Sequence, residues 1–123
     1  ELNLPQNNTL IHLDCDGNRL FNLDLTQNSA LNYLRCGWNN NFIGGLDSLN
    51  TSQNPNLNYL DCIYSGIANL FLGQNINLTN LDCSYNNIST LDVSQNISLR
   101  HLYCSYNNLA FLDVRQNSVI TQF

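Results

Sequence analysis

Five cysteines stand at positions 15, 36, 62, 83 and 104 of a 123-residue chain. Thiols at that density could cross-link, hold zinc or act as nucleophiles. Their arrangement argues against all three. The count is odd, no Cys-x-x-Cys occurs, and the intervals are 21, 26, 21 and 21 residues. Zinc sites are assembled from closely spaced ligand pairs, which are absent here. Aspartates recur on the same beat. Asp14, Asp61 and Asp82 each precede a cysteine, while Asp24, Asp92 and Asp113 each lie nine residues after one. Rows of carboxylates could serve acid–base chemistry or bind calcium. Stacking like charges is unfavourable, however, and Arg35, Asn50 and Phe71 interrupt the rows. Aspartate at a strand edge also bonds local backbone. There is no Ser/His/Asp constellation, P-loop or Gly-x-Gly-x-x-Gly, and we expect no catalytic residue, no metal ligand and no cofactor.

The intervals are the period of a repeat. Leucine stands two residues before every cysteine (Leu13, Leu34, Leu60, Leu81, Leu102) and again three before that (Leu10, Leu31, Leu57, Leu78, Leu99). Asparagine follows each cysteine by three (Asn18, Asn39, Asn86, Asn107), with Ser65 the exception. A second half-repeat alternates with the first. It reads Leu20-x-x-Leu23-x-Leu25-x-x-Asn28 in the first coil and Ile88-x-x-Leu91-x-Val93-x-x-Asn96 in the fourth, with Thr51 replacing the third apolar residue in coil two. The chain thus divides into a partial coil 1–9, coils 10–30, 31–56, 57–77, 78–98 and 99–119, and a partial coil 120–123. Coil two carries an insertion at 41–45, Asn41-Phe42-Ile43-Gly44-Gly45, expected to form a loop at the coil edge. His12 and His101 occupy equivalent positions of the first and last coils, too far apart to act together.

The segment Leu81-Asp82-Cys83-Ser84-Tyr85-Asn86-Asn87-Ile88-Ser89-Thr90-Leu91-Asp92-Val93-Ser94-Gln95-Asn96 carries the pattern almost complete. It resembles the bacterial leucine-rich repeat family, in its 21-residue IRREKO subtype and the LxxLDCSxNxLxxLDVSxN form found in Bacteroidetes surface proteins. The resemblance extends over essentially the whole chain and departs at Thr51, Ser65 and the long second coil. It implies a single leucine-rich repeat solenoid, a piece of a larger protein, exported to the outside or surface of a bacterial cell. The implied role is protein binding, adhesion or display.

Physical reasoning arrives at the same architecture. Alternation such as Leu81-x-Cys83 has the period of a strand. Two such signals per coil, with no room for a long helix, predict an all-β repeat solenoid. Two short parallel strands per 21-residue coil should build two facing parallel sheets with little curvature. Stacked coils pair at about 4.8 Å, and each relies on its neighbours to bury its apolar side. The asparagines should form ladders, since an amide side chain can satisfy peptide groups buried where the chain turns. The cysteines fill inward positions as small reduced hydrophobes, because parallel neighbouring Cβ vectors suit a disulfide poorly.

Composition narrows the partners. The net charge is −5, all 4 basic residues are arginine, and Asn and Leu number 24 and 22. A nucleic-acid partner needs a basic stripe to displace counterions, which is missing, and no apolar run nears the roughly 20 residues of a membrane span. The outward face of the Cys-side sheet concentrates Tyr33, Arg35, Tyr59, Asp61, Asp82, His101 and Tyr103, flanked by a column of Trp38, Tyr64, Tyr85 and Tyr106. Tyr, Trp and Arg are the residue types that anchor interfaces. We therefore expect a non-enzymatic module that recognises a protein partner through this face. A carbohydrate-binding surface is the alternative, since Tyr, Asp and Asn also suit sugar rings, and a passive spacer is a third reading. The bare coil ends should favour end-to-end self-association.

Overall fold

The computed structural model describes residues 2–4, 7–40 and 44–123. Among the described residues there are seven strands of three residues each: β1 (His12–Asp14), β2 (Tyr33–Arg35), β3 (Ser48–Asn50), β4 (Tyr59–Asp61), β5 (Asn69–Phe71), β6 (Asn80–Asp82) and β7 (His101–Tyr103). All pair in parallel. One sheet runs β1-β2-β4-β6-β7, a strand from each cysteine-bearing coil, and a second sheet contains β3 and β5. Register is set by the repeat, so Leu13 lies beside Leu34, then Leu60, Leu81 and Leu102. No helix occurs among the described residues.

The all-β solenoid of stacked parallel strands is as expected, but the second sheet is smaller than expected. The half-repeats around Leu23, Leu91 and Leu112 form no strand. Pairing occurs only against the long second coil. There the Ala68 and Asn69 N–H groups both reach the Asp47 carbonyl, at 2.7 and 3.1 Å, and the Thr51 N–H reaches the Phe71 carbonyl at 3.1 Å. Two successive turns follow this half-repeat in every coil, those with strands included. Asn96, for example, donates its N–H to the Val93 carbonyl and accepts the N–H of Leu99, each at 3.0 Å.

The core lies between the two sides. Leu31, Leu34, Leu57, Leu60, Leu78, Leu81, Leu99 and Leu102 are essentially inaccessible to solvent. A fully buried leucine contributes about 2 kcal/mol over an exposed one. The cysteines follow their strands in register and are free thiols, with Cys15, Cys36, Cys62 and Cys83 buried and Cys104 half-buried. Burial, then the nearby Asp16 and Asp14, pushes the Cys15 thiol up to about 11. Desolvation also raises Cys36, Cys62, Cys83 and Cys104. These thiols are packing groups that resist ionising.

The asparagines form two ladders of different completeness. On the Cys side, Asn86 donates to the Cys62 and Cys83 carbonyls at 2.9 and 3.0 Å, and its Oδ1 accepts the Ser65 and Ile67 N–H groups. Asn39 and Asn107 repeat this pattern. In the other ladder, Asn96 donates to the Leu72 and Asn75 carbonyls at 3.2 and 2.9 Å, and Asn54, Asn75 and Asn117 do likewise. Here the acceptor half of the amide is idle. Oδ1 of Asn28, Asn54, Asn96 and Asn117 is buried with no partner. Asn75 differs because Thr51 faces its Oδ1, at 2.6 Å between oxygens. Asn7, expected in this ladder, is exposed and contributes only its carbonyl, to Asn28.

The irregular third coil has a local cause. Ser65 replaces the ladder asparagine and donates its hydroxyl to the Cys36 carbonyl at 2.8 Å. A Cβ on Gly45 would lie 2.1 Å from the Ser65 carbonyl oxygen. The two backbones therefore touch, so position 45 needs glycine. The rest of the insertion, Asn41, Phe42 and Ile43, lies outside the described residues.

Two outcomes follow. Asn96→Ala removes the Nδ2 bonds to the Leu72 and Asn75 carbonyls, which then keep only the turn N–H groups of Asn75 and Leu78, and should cost about 1–3 kcal/mol in urea unfolding; an unchanged midpoint would contradict the ladder. Alkylation by iodoacetamide at neutral pH, read by mass spectrometry, should label Cys104 first and leave Cys36, Cys62 and Cys83 unmodified until the chain unfolds.

Candidate functional site

The outward face of the five-stranded sheet is organised into columns, because strand residues on one face recur at every coil. The first column contains His12, Tyr33, Tyr59, Asn80 and His101. His12 stacks on Tyr33 with ring centroids 4.2 Å apart, and Tyr33 on Tyr59 at 4.5 Å, each within 7° of parallel. The column continues through a 2.7 Å hydrogen bond between Asn80 Nδ2 and His101 Nδ1. Tyr33 and Tyr59 are half-buried by this stacking. Burial, and next the neighbouring Asp61, raises the Tyr59 phenol above its usual range.

The adjoining column is Asp14, Arg35, Asp61, Asp82 and Tyr103. Arg35 ties three coils together. Its guanidinium reaches Asp14 at 3.1 Å and Asp61 at 3.5 Å, and pairs also with Asp16. Asp16 was not expected to take part; it completes the cage while its other oxygen accepts the Gly37 N–H at 2.7 Å. Burial raises the Asp61 carboxyl, and the Ile63 N–H it accepts opposes that rise. Tyr103 stands at the exposed end of the column and hydrogen-bonds Gln122 at 2.6 Å.

Every aspartate of the two rows accepts the N–H of the residue two positions on. Asp14 serves Asp16, Asp24 serves Thr26, Asp61 serves Ile63, Asp82 serves Ser84, Asp92 serves Ser94 and Asp113 serves Arg115. That turn accounts for aspartate at these positions. Among the described residues no group of three or more His, Cys, Asp or Glu side chains is placed to hold a metal ion.

Beyond the strands runs the column Trp38, Tyr64, Tyr85 and Tyr106, all exposed. Each has a left-handed backbone, with φ of 54°, 51°, 56° and 54°. The equivalent residue of the first coil is Gly17, at φ 65°. This conformation folds the following asparagine back onto the cysteine carbonyl, as Asn86 does on Cys83. A side chain there costs roughly 1–2 kcal/mol relative to glycine, and the rings offset part of it by stacking. Tyr85 and Tyr106 lie 4.3 Å apart and nearly parallel, while Trp38 and Tyr64 lie 5.1 Å apart and tilted. The aromatic column is legible in the sequence; its backbone is not, and Gly17 is the one sign of it.

The sequence-predicted residues therefore share one continuous surface. Tyr33, Arg35, Tyr59, Asp61, Asp82, His101 and Tyr103 form the sheet face, and the four left-handed aromatics form a ridge along it. The opposite side differs in character. Phe71 and Phe111 break an otherwise polar surface and flank two adjoining grooves of about 310 and 530 Å³.

Comparison with solved structures finds the same organisation. The chain is similar to the functional domain of InlJ from Listeria monocytogenes, which includes a cysteine ladder, at 38% sequence identity and a TM-score of 0.72. The chain has a leucine-rich-repeat-like solenoid fold. The match covers 99% of this chain but 31% of the other, so it spans about a third of that protein's chain. No family model and no curated protein matches.

The left-handed column can be tested by stability. Tyr85→Gly should be less destabilising than Tyr85→Ala by about 1 kcal/mol in urea unfolding, because alanine keeps the unfavourable φ and loses the ring contact. The reverse order would mean that this backbone position is unstrained.

Proposed function

We propose that the chain is a non-catalytic recognition module that binds a protein partner through the outward face of its five-stranded sheet. The observation that carries this is the stacked His12–Tyr33–Tyr59 column beside the Arg35 cage, both running from coil to coil. A face of interlocked side chains is already ordered before binding, so association loses little rotamer freedom. Its residue types are those that dominate interface energetics. The face is acidic around Asp61 and Asp82, and a partner presenting basic and aromatic groups complements it.

Stacking also separates protein from sugar as the ligand of this face. A pyranose ring packs against the flat side of an aromatic ring. In these columns the flat sides are turned toward one another, leaving edges and hydroxyl groups outward. The resemblance to bacterial leucine-rich repeat proteins and the likeness to the InlJ domain support a place at the bacterial surface.

The test is a binding screen of the purified chain against host and bacterial surface proteins, run beside Tyr33→Ala/Tyr59→Ala/Tyr103→Ala. The expected result is a partner whose binding is lost in the triple variant while circular dichroism keeps the strand signature. Binding indifferent to the three tyrosines, or a variant that fully replaces the parent protein in its native context, would favour another surface or a passive spacer.

A further inference from the structure

The side of the solenoid opposite the cysteines carries a second, chemically different site. Two grooves meet there and share Leu70, Phe71 and Asp92. Together they run from Asn50 in coil two to Phe111 in coil five. The larger is lined by Phe71 and Phe111 together with Ser89, Thr90, Leu91 and Asp92. Both phenyl rings are well exposed, at 51% and 75%. Neither stacks on another ring among the described residues, in contrast to the tyrosine columns. Their flat sides are therefore available. The smaller groove begins beside the β3–β5 pair, and the larger lies over coils three to five, which form no strand ladder with one another on this side.

The polar groups indicate what the rings would hold. Asp92 accepts the Ser94 N–H through Oδ1 at 2.9 Å, which fixes the carboxylate at the groove. Asp113 is instead occupied by Arg115, at 2.6 Å between Nη2 and Oδ2. No cationic residue lines either groove and the one nearby, Arg115, is already paired with Asp113, so a phosphate, sulfate or uronate would meet the Asp92 carboxylate with no free cation to offset it. What remains is a set of hydroxyl, amide and carboxylate groups set between two open aromatic faces. That combination suits a neutral, polyhydroxylated ring with an apolar face. Each coil also advances by about 4.8 Å, close to the rise of one residue in an extended, equatorially linked glycan.

We propose that the groove between Phe71 and Phe111 binds a neutral oligosaccharide, with sugar faces against the two phenyl rings and hydroxyl groups bonded to Asp92. This site is separate from the protein-binding face and stands or falls independently of it.

The experiment is isothermal titration of the chain with cellotetraose, laminaritetraose, chitotetraose and mannotetraose. At least one should bind. Phe71→Ala and Phe111→Ala should each weaken it roughly tenfold, the value of about 1.4 kcal/mol in binding. Phe71→Tyr should keep the affinity, and Tyr33→Ala/Tyr59→Ala/Tyr103→Ala should leave it unchanged. Both phenylalanines are exposed, so the alanine variants should melt with the parent; an equal loss of binding in Phe71→Tyr would overturn the stacking role. Absence of binding to all four tetrasaccharides would overturn the proposal. So would binding lost only in the tyrosine triple variant, which would move the sugar to the opposite face.

Discussion

A chain that reverses direction twice in every coil must bury peptide groups at places where no strand can pair them, and everything else in this molecule accommodates that constraint. The asparagine amide is the answer at both turns. Its two donors join carbonyls of adjacent coils, as Asn86 does for Cys62 and Cys83, or tie a new coil to the one before, as Asn96 does for Leu72 and Asn75. On the Cys side the Cys62 and Cys83 carbonyls take their donors from these amides, and in an apolar interior an unmade hydrogen bond of that kind is costly. The hydrophobic core and the amide ladders are thus interdependent. One sets the coil spacing, and the other makes that spacing tolerable for the backbone.

The same constraint explains the surface. To bring its amide onto the cysteine carbonyl, the chain passes through a left-handed residue in coil after coil. Glycine would do this most cheaply, yet Trp38, Tyr64, Tyr85 and Tyr106 hold the position and cover the coil edge with rings. The columns on the sheet face are similarly locked, by ring stacking and by Arg35 between its aspartates. The two sides consequently differ in character. One is closed, rigid and aromatic at its edges. The other, lacking a continuous ladder, is indented and leaves two phenyl faces open.

Much of this was legible in the residues. The period alone located the strands of the main sheet, the inward leucines and cysteines and both asparagine ladders, because a repeat states each position five times. Three features were hidden for physical reasons. Left-handed backbone is signalled by glycine, and only Gly17 shows it. The sister half-repeat alternates like a strand, but alternation reports burial and not pairing, so the absence of strands around Leu23, Leu91 and Leu112 could not be read. The unpartnered Oδ1 atoms of Asn54 and Asn96 depend on which groups the neighbouring coil presents, and Thr51 supplies one only to Asn75. Phe71 and Phe111 were visible as breaks in a polar row, but their shared groove arises from how the coils stack.

The ladder amides all face the same way. Asn28, Asn54, Asn75, Asn96 and Asn117 each donate toward the coil that precedes them in sequence. Each new coil therefore completes the one before it and presents its own carbonyls for the next. As the chain leaves the ribosome or a translocation channel, the coils already outside can be sealed one at a time, so assembly can keep pace with emergence. The solenoid has an inherent direction of growth, running with the polypeptide.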